Sequence, residues 1–322
     1  MRNKKQALLA ITGAFALEGG IAAANRLVIY ALSKADYQIE LITFNEQADA
    51  PHAYQEFPTI NYHTVQLNKA SFTLQIWQRL LAKRYDLVFC DHVNLASVLA
   101  PVGLVKFIPY LVRLNGIEVF SPGLDFQGKL GLYGAKWRMA ISEYTRQQVI
   151  QTFPKMNIQT VDLALDPART LRLANQLKTS SPPHLMLTAI DGNTSLLGES
   201  VILHVGRMAA KEQYKGQDIL IKALPYILTQ LDTAQLVLVG RGDDMPRLLT
   251  LAQAQPPEVQ NRIFMPGFVS DNQLGQFYET CAVFAMPSRG EGFGFVYLEA
   301  MCWAKPCVAS RVDAAQYIVQ HE

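Results

Sequence analysis

Residues 201–228 read VILHVGRMAAKEQYKGQDILIKALPYIL, and this stretch sets the fold class. VILHV (201–205) is a short apolar run closed by Gly206, which reads as a buried strand. Ile219, Leu220, Ala223, Leu224, Ile227 and Leu228 then return at helical spacing on one face. A second apolar run, QLVLVG, follows at 235–240. Strand, helix, strand in that order is the signature of parallel α/β structure.

The same alternation extends both ways. Downstream lie RIFM (262–265), VFAMP (283–287) and PCVAS (306–310). Upstream lie ALLAIT (7–12), QIELIT (38–43), DLVFC (86–90), PYLVRL (109–114) and RMAIS (138–142), with helical stretches such as 21–33 and 73–82 between them. Ser142 ends a strand and is placed to cap the helix EYTRQQVIQ. From 166 to 200 the pattern dissolves into paired prolines, serines and turn residues, which reads as a linker or surface excursion. The expected architecture is α/β, with two doubly wound Rossmann-like domains, 1–165 and 201–322, facing across a cleft.

Composition narrows the function classes. Half of the 322 residues are hydrophobic and 17% are charged, enough for sizeable cores and too apolar for disorder. A net charge of +2 gives no global pull toward nucleic acid or an anionic membrane, so an anionic ligand must be held by local groups. Cys90, Cys281, Cys302 and Cys307 sit in or beside apolar runs without CxxC spacing, as buried free thiols of a reducing compartment do. Arg2, Lys4 and Lys5 before ALLAITGAFAL imitate a secretory signal. Gly19-Gly20 and the helical pattern after them favour a strand, a glycine loop and a helix instead. The apolar window 93–112 is broken by Lys106 and two prolines, and parses as helix, turn and strand.

In open parallel sheets ligands bind where strand ends lead into helices, and every candidate site falls at such a point. In HVGRMAAKEQYKGQD (204–218), Gly206-Arg207 closes a strand and Lys215-Gly216 opens a helix. Two cations beside free helix N–H groups suit a diphosphate, with Lys211 as a third cation that solvation alone explains. In RGEGFGFVYLEAM (289–301), Gly292 and Gly294 let the backbone approach a ligand, and the helix from Phe295 offers its positive end. Glu291 precedes that helix, and Glu299, two turns on, can accept from vicinal hydroxyls such as a ribose presents. Gly19-Gly20 gives a second close backbone approach in the first domain. Asn115 and Glu118 in LVRLNGIEVFSPG (111–123), and His92 after another strand, are expected to look into the cleft. The backbone of Phe268 and Val269 is placed to pair with a nucleobase edge. No His, Asp or Cys stands at ligand spacing from either glutamate, so no metal site is expected. A two-carboxylate hydrolase leaves Arg207 and Lys215 unexplained.

Taken together these segments resemble the retaining glycosyltransferases of family 4, the group 1 glycosyltransferases of GT-B fold. VGRMAAKEQYKGQD, LVLVGRGDD, the run from RIFMPGFVS to GFVYLEAM, and KPCVAS come in that family's order at about its spacing. EGGIAAANRLVIYAL, NGIEVF and AISEYT continue the similarity more faintly through the first half. The resemblance implies metal-independent, cofactor-free transfer of a hexose from a nucleotide-diphosphate sugar, with retained configuration. Arg207 and Lys215 are then expected on the diphosphate, Glu291 on the transferred sugar and Glu299 on the ribose. Gly206, Phe293, Gly294, Phe295 and Gly19-Gly20 complete the donor pocket, and the acceptor attacks from the face the phosphate leaves.

Three departures stand out. Asn115 occupies a position where similar enzymes often carry a histidine. Arg311-Val312-Asp313-Ala314-Ala315 replaces a common Gly-Gly turn, and the chain stops at Glu322 where relatives continue, so an incomplete second domain is expected. A non-catalytic sugar-nucleotide-binding or assembly subunit is the alternative reading. A GT-B-like epimerase or phosphorylase is a third, and no pyridoxal-phosphate lysine is evident. Acceptor choice rests on loops 44–72 and 115–135, which carry no transferable signature. A glycan or lipid-linked acceptor, no nucleic acid, and a cytoplasmic place, including the inner membrane face, are expected. TLQIWQRLLAKRYD (73–86), with Trp77, Arg79, Lys83 and Arg84, either touches a membrane or packs on the sheet with a basic outer face.

Overall fold

A computed structural model describes residues 4–16, 19–47, 60–120, 124–165 and 184–320. The chain divides into two compact units, Met1–Asp166 and Pro167–Glu322.

The first unit is built on seven parallel strands in the order β3-β2-β1-β4-β5-β6-β7. These are β1 (Lys5–Ile11), β2 (Tyr37–Thr43), β3 (Ile60–Thr64), β4 (Leu87–Cys90), β5 (Leu111–Leu114), β6 (Trp137–Ala140) and β7 (Gln159–Thr160). Strand β1 sits mid-sheet with Ala7 to Ile11 fully buried, because helices cover both faces and every side chain must be apolar. Residues 7–11 are thus the buried part of a core strand. Helix α1 (Gly20–Lys34) follows it, and α2 (Lys69–Ala82) buries Phe72, Ile76 and Leu80 at helical spacing. Trp77 turns inward to donate from Nε1 to the Val98 carbonyl at 2.8 Å, and Arg79 holds Glu40 at 3.0 Å. Helix α2 therefore packs on the sheet, and of the four residues singled out in its segment Trp77 bonds to Val98 and both Arg79 and Lys83 pair with Glu40. The short helix α3 (Val93–Ala96), α4 (Leu99–Lys106), α5 (Phe126–Gly134) and α6 (Glu143–Thr152) complete the unit, and Ser142 caps α6 as its sequence requires.

The second unit has five parallel strands in the order β12-β11-β10-β13-β14. They are β10 (Val201–Val205), β11 (Gln235–Val239), β12 (Ile263–Gly267), β13 (Val283–Met286) and β14 (Cys307–Ala309). Helices α7 (Gln217–Leu228), α8 (Met245–Gln253), α9 (Pro257–Gln260), α10 (Asp271–Thr280) and α11 (Phe295–Cys302) connect them. The stretch expected as a surface excursion differs in part. Residues 166–183 lie outside the described residues, but β8 (Met186–Thr188) and β9 (Thr194–Leu196) form an antiparallel hairpin. Ala189 bridges to Phe264, Ile190 N donates to Ile263 O at 3.0 Å, and Ala189 and Leu197 join the core. The pattern dissolved there because a short hairpin on a sheet edge needs only two anchors, not a periodic face.

All four cysteines are free. Burial pushes the Cys281 and Cys307 thiols up to about 11, so they pack as apolar groups rather than react. Among the described residues, no helix is long and apolar enough to cross a membrane.

Candidate functional site

In each sheet the strand order reverses once, between β1 and β4 and between β10 and β13, and the loops at those carboxyl ends carry the candidate residues.

Three of the helices that start there share one property. Helices α1, α7 and α11 have Gly19, Gly216 and Gly294 as N-caps, at φ 109°, 84° and 103°, and no side chain caps any of them. By contrast Asn68, Asp125, Ser142 and Ser270 cap α2, α5, α6 and α10 through their side chains. A glycine cap leaves the first N–H groups to an external acceptor and the positive helix end unscreened.

In the second unit, Lys215 Nζ donates to Glu291 Oε1 at 2.6 Å, and the two side chains are 13% and 15% exposed. An ammonium has three donors, so this pairing leaves capacity for a phosphate. Lys215 lies 5.6 Å from the Tyr214 ring centroid, and the Tyr214 carbonyl accepts from Arg289 N at 2.9 Å. A side chain at Gly290 would meet the Tyr214 ring at 2.9 Å, which explains the first glycine of RGEGFG. Arg207 donates from Nη2 to Glu212 Oε1 at 2.5 Å while its side chain stays 66% exposed. Glu212 is buried and its Oε2 has no partner. Gly206 and Gly240 are pressed together, since a side chain at Gly240 would meet Gly206 O at 1.9 Å. Lys211 is exposed and carries no site geometry.

Two residues absent from the sequence-derived set hold these in place. Asp313, fully buried, accepts from Glu291 N at 2.8 Å and from Ala315 N at 3.0 Å, while Ala314 N donates to Glu291 O at 3.2 Å. The segment that departs from the Gly-Gly turn therefore clamps Glu291 by a carboxylate. Burial raises the Asp313 pKa, and the two backbone N–H groups oppose that. His204, also fully buried, sets its Nε2 3.3 Å from the Lys215 carbonyl. Burial pushes its pKa down to about 4, so the ring is neutral and its Nε2 donates.

Glu299, the residue expected on a ribose, already takes one hydrogen bond within the second unit. It is buried on α11, and Tyr278 Oη donates to its Oε2 at 3.0 Å. Phe293 is buried beside Phe295, with ring centroids 5.6 Å apart. Phe268 is half exposed, with the Arg241 guanidinium 4.7 Å from its ring centroid, and Val269 packs against the core. A cavity of about 960 Å³ lies along β14, lined by residues including Met301, Lys305, Val308 and Arg311 and by none of the candidates.

In the first unit Asn115 and Glu118, expected to look into a cleft, are tied into an interior network. Asn115 Nδ2 donates to Asp91 O at 2.6 Å and its Oδ1 accepts from Arg113 Nε at 2.7 Å, while Glu118 Oε1 accepts from Asn115 N at 2.5 Å. The hub is Arg113, fully buried at the end of β5. Its Nη2 donates to Asn25 Oδ1 at 2.8 Å, and Nη1 has no partner. Asn25 in turn donates to Asp91 Oδ2 and Gly13 O, both at 2.7 Å. Arg113 lies inside an apolar strand run, so nothing in periodicity marks it as polar machinery. Glu46 is a second omission. Buried, it accepts from Ala14 N at 2.8 Å, Ala16 N at 2.7 Å and Phe15 N, and so fixes the loop ahead of Gly19-Gly20. His92 caps α3, its Nδ1 accepting from Asn94 N at 3.2 Å, a structural task.

The fold is shared along almost the whole chain with the Anabaena protein HepE, solved with UDP and glucose (TM-score 0.69, 22% identity, 99% of this chain and 84% of that one). It is shared equally with the sucrose-phosphate synthase of Thermosynechococcus elongatus (TM-score 0.72, 19% identity, 99% and 84%). The architecture is thus that of the GT-B glycosyltransferases. Residues 199–322 match the family model of group 1 glycosyl transferases. An uncharacterized glycosyltransferase of Methanocaldococcus jannaschii is 24% identical over 94% of this chain and 80% of its own length. The GDP-mannose-dependent alpha-(1-6)-phosphatidylinositol monomannoside mannosyltransferase of Mycobacterium tuberculosis is 38% identical, over 33% of this chain and 29% of its own. The similarity to group 1 glycosyl transferases thus lies over residues 199–322, on a fold shared along almost the whole chain.

Proposed function

We propose that the protein moves a hexose from a nucleotide-diphosphate sugar to a glycan or glycolipid acceptor, with retained anomeric configuration and without a metal. The observation that carries this is the Lys215–Glu291 pair, nearly buried at 2.6 Å beside the uncapped start of α11. A diphosphate taken there meets one ammonium already oriented, the exposed Arg207 guanidinium and the open N–H groups of α7 and α11. Those groups act most strongly on the charge that grows as the sugar–phosphate bond breaks. Glu291, held by Asp313 and Lys215, faces the sugar. Glu299, held by Tyr278, offers its carboxylate to the ribose, and the Phe268–Val269 backbone pairs with the base.

In the first unit Asn115 spends its amide on Arg113 and Asp91, and it cannot ionise near neutral pH. That leaves the departing phosphate to take the acceptor proton, as front-face transfer requires. The names of the relatives support nucleotide-sugar chemistry: one is GDP-mannose-dependent, and another fold relative was solved with UDP and glucose. The test is turnover of UDP-, GDP- and ADP-sugars in EDTA, with the anomer followed by NMR. Release of nucleotide and a product of unchanged configuration is expected. Nucleotide binding without hydrolysis or transfer would instead mark a non-catalytic subunit.

A further inference from the structure

Arg207 and Glu212 form an ion pair of unequal partners. Arg207 stands just past the end of β10 with its side chain 66% exposed, whereas the Glu212 side chain is 8% exposed. Glu212 lies in a short 3-10 segment, Ala210–Lys215, that is tied down along its length. Ala210 N donates to Asp243 Oδ1 at 2.7 Å, Glu212 N to Ala209 O at 2.7 Å, and Gln213 Nε2 to Asp244 Oδ1 at 2.9 Å. The carbonyls of Tyr214 and Lys215 accept from Arg289 N and the His204 ring. The carboxylate is therefore a fixed point. The guanidinium, on a long side chain in solvent, is the partner that needs fixing.

A neighbouring pair shows what a purely structural bridge looks like. Asp244 meets Arg247 with both oxygens, Oδ1 accepting from Nε at 2.7 Å and Oδ2 from Nη2 at 2.6 Å, and Gln213 adds a third bond. That is the two-pronged match of carboxylate and guanidinium. Glu212 instead takes Arg207 through Oε1 alone, and its buried Oε2 has no partner among the described residues. A buried carboxylate kept for stability would use both oxygens, because an idle one costs free energy that folding does not recover. On the cation side the described residues engage one of five N–H donors, so most of the fork stays open to a second acceptor.

We propose that Glu212 is a positioning residue, which holds Arg207 by one N–H so that its remaining donors meet an oxyanion of the bound diphosphate. This role rests on the donor reading of the Lys215–Glu291 site. Residues 210–215 then place both cations at once, Lys215 by carrying it and Arg207 through Glu212. Each cation has its own carboxylate, Lys215 on Glu291 and Arg207 on Glu212. An arginine oriented in advance loses less freedom when a ligand arrives, and it needs no rearrangement as charge grows on the departing phosphate.

The test joins kinetics and NMR on the whole chain. Glu212→Ala lowers kcat for sugar-nucleotide turnover by about 10–100-fold and changes KM by less than about threefold, as a misplaced group that acts on the transition state does. Glu212→Gln, whose amide oxygen still accepts from Nη2, is about tenfold faster than Glu212→Ala. In an Arg207→Ala background Glu212→Ala has no further effect, since nothing remains for it to act through. In isotope-labelled arginine, the Nη–H signals of Arg207, assigned by their loss in Arg207→Ala, are separate in the wild type because the guanidinium is pinned. They merge in Glu212→Ala and stay separate in Glu212→Gln. An equal loss from Glu212→Ala with and without Arg207, or a Gln variant as slow as the Ala variant, overturns the proposal. If the wild type turns over no UDP-, GDP- or ADP-sugar, the donor reading fails, and the arginine signals decide on Glu212 separately. Merging in Glu212→Ala then supports its hold on Arg207, and no change overturns it.

Discussion

At the scale of single residues, His204 shows how a buried neutral group supports a charged one. Its ring fixes the carbonyl of Lys215, whose ammonium holds Glu291. The folded pKa of about 4 lies below the ordinary 6.5. Between those values the unfolded chain binds the proton and the folded chain does not, so stability falls as pH drops from 6.5 to 4 and is constant above. The full contribution is about 3 kcal/mol. In His204→Gln, which still donates to the carbonyl without ionising, the melting temperature should fall less across that window, as read by calorimetry. An unchanged slope would clear His204 of the acid sensitivity. The two glutamates separate in a different experiment. Glu299→Ala should weaken bare nucleoside-diphosphate binding by about 1–3 kcal/mol, the loss of hydrogen bonds to a charged acceptor. Glu291→Ala should spare that affinity, because Lys215 is then released to the phosphates, and should lower sugar transfer. Titration calorimetry with UDP and GDP decides this, and equal losses in both variants would refute the assignment.

At the scale of elements, the glycine-capped helix starts depend on backbone that no other residue adopts cheaply. Gly216 has φ 84°, and a side chain there would stand 2.7 Å from Pro287 O, whereas Gly192 has φ 88° with nothing within 4 Å. Gly192→Ala should cost about 1–2 kcal/mol for the left-handed conformation alone. Gly216→Ala should cost about 2–4 kcal/mol, because the clash is added. Denaturant midpoints of the two variants measure the difference. What was legible in the sequence follows the same logic of burial. Strands covered on both faces, such as Ala7–Ile11 and Gln235–Val239, had to be apolar runs and announced themselves. The edge strands Ile60–Thr64 and Gln159–Thr160 and the hairpin 186–196 face solvent, carry polar residues and left no period to read. In the site, glycines and charges at strand ends were legible because loops there have few structural reasons to hold them. Arg113, Asp313 and Glu46 were not, since each is defined by partners 22 to 92 residues away in sequence, such as Ile21 O, Glu291 N and Phe15 N. Asn115 and Glu118 were found as residues, but their role as ligands of that interior network had no local sign.

At the scale of the molecule, each unit closes its own cores. Among the described residues, the clusters around Leu8–Val112 and Leu9–Phe89 draw on the first unit, and those around Leu203–Phe284 and Leu236–Ile263 on the second. A chain built this way need not unfold in one step, and a ligand stabilises the part whose folded state holds it. The proposed donor side chains, from Arg207 to Glu299, all belong to the second unit, Pro167–Glu322, and only the backbone at Gly19-Gly20 is expected from the first, so nucleoside diphosphate should protect the second unit more. At a concentration about 100 times its dissociation constant the gain is about 2.7 kcal/mol. Amide hydrogen exchange followed by mass spectrometry reads this directly. Peptides from β10, α7, β13 and α11 should slow by close to 100-fold wherever exchange requires unfolding of the second unit. Peptides from β1, β4 and β5 should keep their rates. Lys215→Ala, which loses a preoriented phosphate donor and should lower turnover by about 10²–10³-fold, should also lose most of the protection at the same nucleotide concentration. Uniform slowing across both units would mean that the nucleotide is held by the first unit as well, and the division of labour drawn from the two sheets would have to be redrawn.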